Sequence, residues 1–366
     1  MFFFDYFIKL ILYFVSFAMH IFVFCLFLLF SPFLYANNIG IIGRPDAHAP
    51  IGVMGDHPHK KGEVMFSYRF MRMEMSDLQD GTHDISREDS VSSTGSYKFL
   101  NAPIEMHTNM QMFGGMYGIN DYLTGIVMIP YLNKKMQVRQ RADEMQRFTV
   151  SSRGFGDVKL TGIVTLKKKL NSKWLLNFGI SIPTGETNVK DDMVMMNGTH
   201  SHSTLGYGMQ LGSGTYEPIL KIGYNKKWDK FSFGWDASGV WRLYQNEDDY
   251  HLGDEYQGTL YSAFLLNDWI SLSGRIDGKW RRKISGAHAH HSNMLMSPAF
   301  SKDQGQKKLN LYGGINFIIP KGELKGNRLA LEYSGPIYQY YDGLQMKNDW
   351  MITLGWQYAF TFKDLF

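Results

Sequence analysis

Beyond residue 63 the chain alternates apolar and polar side chains for most of its length. Val64, Phe66, Tyr68 and Phe70 interleave with Met65, Ser67, Arg69 and Met71. A period of two is a β-strand with one apolar face. The pattern returns in Leu123, Gly125, Val127 and Ile129, in Val158, Leu160, Gly162, Val164 and Leu166, in Trp174, Leu176, Phe178, Ile180 and Ile182, and in Pro218, Leu220, Ile222 and Tyr224. It is cleanest later, where Phe231, Phe233, Trp235, Ala237, Gly239 and Trp241 oppose Ser232, Gly234, Asp236, Ser238 and Arg242. Ile270, Leu272, Gly274, Ile276 and Trp280 likewise oppose Ser271, Ser273, Arg275, Asp277, Lys279 and Arg281. The final stretch carries Trp350, Ile352, Leu354, Trp356, Tyr358, Phe360 and Phe362 on one face and Met351, Thr353, Gly355, Gln357, Ala359 and Thr361 on the other. Met106, Thr108, Met110 and Met112 alternate with His107, Asn109, Gln111 and Phe113, and here the methionines read as the outer apolar face and His107 as inward.

The faces opposite the apolar ones decide the kind of sheet. Arg275, Asp277, Lys279 and Arg281 follow one another on alternate positions, and Asp157 with Lys159, Asp236 with Arg242, and Glu332 repeat the arrangement. A barrel with lipid outside and water inside requires this on every strand and leaves no unpaired edge in the bilayer. The connections alternate as well. Long ones fall at 76–103, 133–154, 184–215, 245–254, 286–306 and 341–348, and short ones at 118–121, 167–173, 225–230, 266–268 and 321–327. Outer-membrane barrels have short periplasmic turns and longer external loops. The expected fold is therefore all-β, a transmembrane antiparallel up-and-down barrel of about twelve strands with both termini in the periplasm. The expected location is the bacterial outer membrane. The expected partners are outer-membrane lipid, the barrel assembly machinery and a small-molecule solute, with the oligomeric state left open.

Composition refines the picture. A net charge of +4 without a Lys/Arg run gives no reason to expect a nucleic-acid partner. Aromatic residues make up 15% of the chain, as girdles at two membrane interfaces require. Residues 1–36 are almost wholly apolar and end at Ala36, which reads as a secretory signal peptide. Cys25, the single cysteine, lies inside it, so disulfides play no part in the remainder. Residues 37–62 are rich in Gly, Pro and His without periodicity, a periplasmic leader or plug segment, and 63–366 form the barrel.

Several short stretches carry a resemblance. They are Tyr117-Gly118-Ile119-Asn120-Asp121-Tyr122-Leu123-Thr124, Gly154-Phe155-Gly156-Asp157-Val158-Lys159-Leu160, Ile182-Pro183-Thr184-Gly185-Glu186, and Gln210-Leu211-Gly212-Ser213-Gly214 before Glu217-Pro218. Together they resemble the family of outer-membrane transporters named for the MetA pathway of phenol degradation, and Ala49 to Met73 resembles a branch of it rich in Met and His. The closing strand, ending on Phe366, resembles the last strand of outer-membrane barrels, whose terminal aromatic serves as an assembly signal. The family resemblance implies a channel or transporter for small solutes, hydrophobic or aromatic compounds foremost, and brings no catalytic residues.

Two sets of residues are candidates for chemistry. The first lines the lumen: Asp157, Lys159, Asp236, Arg242, Arg275, Asp277, Lys279, Arg281 and Glu332, either facing a solute path or pairing into a filling network. The second is the loop histidines His200, His202, His288, His290 and His291, beside Met193, Met195, Met196, Met294 and Met296. Imidazole with thioether suits Cu or Zn and supports an alternative reading as a copper-related metal-binding barrel. His57 and His59 form a similar short tract in the leader. A structural surface barrel is a third reading. A lipid hydrolase would need a Ser–His pair on the lipid-facing side of one rim, and with His107 read as inward no enzyme and no resident cofactor is expected.

Overall fold

The structure is a computed structural model. It describes residues 44–141, 147–195, 198–291 and 296–361, so the expected signal peptide 1–36, Cys25, Met196, Met294 and Phe366 lie outside the described residues. Twelve strands build the wall. They are β1 (Glu63–Gly81), β2 (Asn101–Gly118), β3 (Leu123–Gln140), β4 (Arg147–Phe155), β5 (Val158–Lys169), β6 (Ser172–Ile182), β7 (Glu217–Lys227), β8 (Phe231–Val240), β9 (Glu255–Asn267), β10 (Ile270–Arg281), β11 (Gln306–Ile318) and β12 (Arg328–Thr361). Neighbours pair antiparallel, except that β4 and β5 both pair with β3, and β12 closes the ring on β1 through Glu63↔Thr361 to Gly81↔Tyr341.

Two details fix the number of passes. Both β4 and β5 pair with β3, so they share one pass interrupted at Gly156 and Asp157. The 34-residue β12 supplies two. Its first arm pairs with β11 from Arg328 to Tyr341, and its second pairs with β1 back down to Thr361. The bend falls at Asp342-Gly343, where Gly343 has φ +91, a conformation glycine adopts without steric cost. Twelve elements, less one and plus one, give twelve passes, so residues 63 and 361 stand at the same end.

Burial confirms which face meets lipid. Phe66, Leu160, Phe178, Leu220, Phe231, Leu260, Phe264, Leu272, Ile276, Leu311, Leu331 and Tyr333 are 36–56% exposed and form an apolar belt over β1 and the passes from β5 to the first arm of β12. A soluble protein does not leave so continuous a patch in water. Aromatic rows bound the belt. Trp174, Tyr224 and Trp235 pack together near the short turns, with ring centroids 5.0 and 5.7 Å apart. Trp241, Tyr256 and Trp280 pack near the long loops, at 6.4 and 5.5 Å. From Ile270 to Arg281 a strand climbs roughly 36 Å along its length, or about 28 Å along the barrel axis at a tilt near 40°, enough for the apolar layer.

The structure corrects three expectations. The ladder sets Met112 opposite Arg69 and Met110 opposite Met71, so the methionines of β2 face inward. With Met65, Ile126, Met128, Ile163 and Leu175, Met112 and Met116 form an apolar lumen core. His107 therefore points outward, paired across the ladders with Glu74 and Lys135 and not with a serine. The connections expected at 133–154 and 341–348 are largely strand, because β3 runs to Gln140, β4 begins at Arg147 and β12 is continuous. Strands that continue above the bilayer are polar on both faces and resemble loops in a hydropathy pattern. The alternation of long external and short periplasmic connections otherwise holds.

Candidate functional site: the lumen and its plug

The interior is built from the inward residues of every pass, and residues 44–62 run through it. Arg44 donates to the carbonyl of Trp228 at 3.4 Å, in the short turn between β7 and β8. The chain then climbs. Arg328 donates to the Ala49 carbonyl at 2.7 Å, Arg69 to Ile51 at 3.0 Å and Lys221 to Met54 at 2.9 Å. It turns back, receiving Asn177 on Gly55 at 3.0 Å and Asn225 on Asp56 at 3.1 Å, and His59 N–H donates to Thr124 Oγ1 at 2.8 Å. Gly62 N–H closes on Gly118 at 2.8 Å, at the periplasmic rim. Strands from around the barrel thus satisfy the backbone of a segment that has no strand partners of its own. Gly355 shows how closely the wall and the segment approach: a Cβ there would lie 2.2 Å from Ile51 Cγ1.

The lumen charges are paired around this plug. Arg275 makes a two-pronged bond to Glu332, Nε to Oε1 at 2.9 Å and Nη2 to Oε2 at 2.8 Å. It also donates to Asp277 at 2.9 Å and lies 3.4 Å over the Tyr312 ring. Glu332 Oε2 accepts the Gly52 N–H at 3.1 Å, which ties the plug to this network. Lys221 meets Asp236 at 3.0 Å, Arg242 meets Glu217 at 2.7 Å and Lys279 meets Glu255 at 2.7 Å. Arg281 reaches the carbonyl of Gln304 at 3.4 Å. Asp157 accepts from Gly185 N–H and from the N–H and hydroxyl of Ser213, at 3.0, 2.8 and 2.7 Å, and so holds the loop 183–216 over the wall. Lys159 lines the remaining space. Arg328, Thr124 and Asn177 were not singled out in the sequence; Arg328 opens its strand, one residue before the alternation becomes visible.

Above the tip of the plug is a cavity of about 190 Å³. Met54, Ile126 and Met128 give it an apolar side, and Lys159, Thr161, Lys221, Asp236, Gln257 and Thr259 a polar one. Over the external mouth, Phe99, Val189, Met193, Leu205, Met209, Leu211 and Met296 from three loops pack on Leu78, Met106, Met136 and Val138 of the strands.

Of the loop histidines, His288 and His291 serve that cap. His288 and His291 stack with centroids 4.4 Å apart, and His291 lies edge-on to Tyr207 at 4.4 Å. His291 Nε2 donates to the Leu205 carbonyl at 2.8 Å, and His288 Nδ1 accepts the His290 N–H at 3.1 Å. Burial pushes both imidazoles down, His291 to about 4. His202 sits on the separate hairpin Lys190–Val194/His200–Thr204 and meets the exposed Asp192 at 3.0 Å. Among the described residues, the donors that converge are elsewhere: His48, Asp56 and His57 in the plug, with ligand atoms within 4.8 Å of one another.

A closed ring with an apolar belt, two aromatic rows and a charged interior is a transmembrane β-barrel of the bacterial outer membrane, here with its own leader inside. The family model described as MetA-pathway of phenol degradation matches residues 89–274, just over half the chain, and the protein belongs to that family. An outer membrane channel from Pseudomonas putida F1 shares the fold at 14% identity and a TM-score of 0.56, over 84% of this chain and 99% of that one. The beta domain of the Bordetella autotransporter BrkA is 10% identical with a TM-score of 0.45, over 82% of this chain and 100% of that one. The Ralstonia pickettii toluene transporter TbuX is 10% identical with a TM-score of 0.43, over 88% of this chain and 100% of that one. No curated protein matches the sequence.

Proposed function

We propose that the barrel is a channel that admits small hydrophobic solutes, aromatic compounds in particular, through a lumen controlled by its plug. The observation that carries this reading is the 190 Å³ cavity between plug tip and external cap. A cavity of about 150 Å³ accommodates benzene, so this one suits a single substituted ring. Its lining matches an amphipathic ring: methionine and isoleucine for the hydrocarbon, with Lys159, Thr161 and Thr259 for one polar substituent. Methionine adapts its shape to irregular apolar guests. The family's connection with phenol breakdown agrees with that chemistry.

The test is uptake of labelled phenol by cells whose outer membrane contains the wild type, Thr161→Trp, or no copy of the protein. Thr161 faces the cavity, and the indole fills it. Faster uptake in the wild type alone supports the reading. Equal uptake in all three strains refutes it.

A further inference from the structure

We propose that the plug carries a binding site for one divalent transition-metal ion, formed by His48, Asp56 and His57, and that the ion cross-links the two arms of the plug at their base.

The two arms meet here. His48 lies on the ascending arm, before Ile51 and Gly52 reach the wall, and Asp56 and His57 lie on the descending one. His48 Nδ1 and His57 Nδ1 face each other at 3.4 Å, with the rings edge-on at a centroid distance of 4.5 Å. His57 Nδ1 also lies 2.8 Å from Asp56 Oδ1. Bonds to zinc of about 2.0–2.1 Å in a tetrahedron put ligand atoms roughly 3.3 Å apart, and these spacings straddle that value. The third pair, within 4.8 Å, closes by a small side-chain rotation. Two imidazole nitrogens aimed at each other form a poor hydrogen bond, since His57 Nδ1 has one proton and Asp56 is the stronger acceptor. A metal ion in their midst satisfies both lone pairs.

The surroundings are prepared as at known metal centres. Asp56 Oδ2 accepts the Ala49 N–H at 2.8 Å, which orients the carboxylate and leaves Oδ1 for the ion. Burial pushes His48 and His57 below the usual imidazole value, so both carry the neutral form that ligates. His57 and His59 are 8% and 4% exposed, and the Nε2 of each has no hydrogen-bond partner among the described residues. On binding, the single proton of the His57 ring shifts from Nδ1 to the unpartnered Nε2, which frees the Nδ1 lone pair, and Nδ1 and Asp56 Oδ1 become ligands. Two imidazoles and a carboxylate suit Zn(II), Cu(II) or Ni(II). The ion would hold the plug's base shut, so metal occupancy sets how firmly the lumen is blocked. Metal binding is independent of whether any solute passes.

The experiment titrates Zn(II) alone into the full chain in detergent, by calorimetry after chelator treatment. Four proteins are compared: wild type, His48→Ala/His57→Ala, Asp56→Asn, and a variant with His200, His202, His288, His290 and His291 all changed to alanine. Retained heat-modifiable migration reports that each is folded. One ion per chain in the wild type and the loop variant, none in the double plug variant, and affinity lowered about tenfold or more in Asp56→Asn would support the site. The proposal is overturned if wild type binds no ion, if the double plug variant binds like wild type, or if binding disappears with the loop histidines.

Discussion

At the scale of the residue, Arg275 shows what the interior demands. Its guanidinium is 5% exposed and survives there because Glu332, Asp277 and the Tyr312 ring all meet it. Removing one partner of a buried pair leaves an uncompensated charge, at a cost of about 3–5 kcal/mol. Asp277 remains in Glu332→Ala, so destabilisation should fall near roughly 3 kcal/mol, read as a lower heat-modification midpoint. Glu332→Gln, which keeps the acceptor oxygen, should lose less. His291 gives a pH dependence. An unfolded imidazole takes up its proton near about 6.5, whereas burial holds folded His291 to about 4. Between those values the unfolded chain binds a proton that the folded one refuses, so this contribution is complete above the window and lost as pH falls through it. The midpoint of the wild type should drop more steeply with acid than that of His291→Gln. Parallel curves would show that the buried ring has no such role.

At the scale of the element, the period-two pattern determines which side of each strand meets lipid. Ile276 faces outward and pairs across the ladders with Leu260 and Leu311. Arginine near the midplane of that face costs roughly 2–4 kcal/mol, so Ile276→Arg should reduce the folded fraction on refolding into lipid, whereas Ser273→Arg, on the inner face, should reduce it less. The reverse order would mean that the register is shifted by one residue. The faces were legible on nearly every strand because lipid and wet lumen differ sharply in polarity. They were not legible on β2. There the inner face is itself apolar, since Met112 and Met116 pack with Met54 of the plug, while the upper part of the strand stands beyond the bilayer and carries polar His107, Asn109 and Gln111 outward. Polarity then points the wrong way. The site was less legible than the wall. Asp56-His57-Pro58-His59 stands out as a tract, but nothing in the spacing of His48 says that two arms of one loop bring it beside His57.

At the scale of the whole molecule, the barrel encloses part of its own chain. The plug has no periodicity and no regular structure beyond the short turn Pro45–Ala47, so its conformation is set by the wall. Arg69, Lys221, Arg328, Asn177 and Asn225 hold its carbonyls, Thr124 and Glu332 its amides, and Gly355 leaves room for Ile51. The loops pack over the far end, and a small mixed-polarity cavity beside the plug tip is where a guest fits. Solute entry then requires movement of the plug or the cap, and selectivity is set at the cavity.

The measurement that bears most directly on this account is a disulfide between plug and wall. Ile51→Cys and Gly355→Cys, with Cys25 changed to serine, place two thiols where a Cβ at 355 already lies 2.2 Å from an Ile51 side-chain carbon. That approach suits the Cβ separation of roughly 3.5–4.5 Å that a disulfide needs. Membranes containing the double variant would be oxidised, and the protein analysed for free thiols and for its migration without reductant. Near-complete internal cross-linking is expected in the folded barrel, reversed by reductant and absent from either single variant. Two thiols that stay free and react with a water-soluble reagent would place the leader outside the lumen and contradict it.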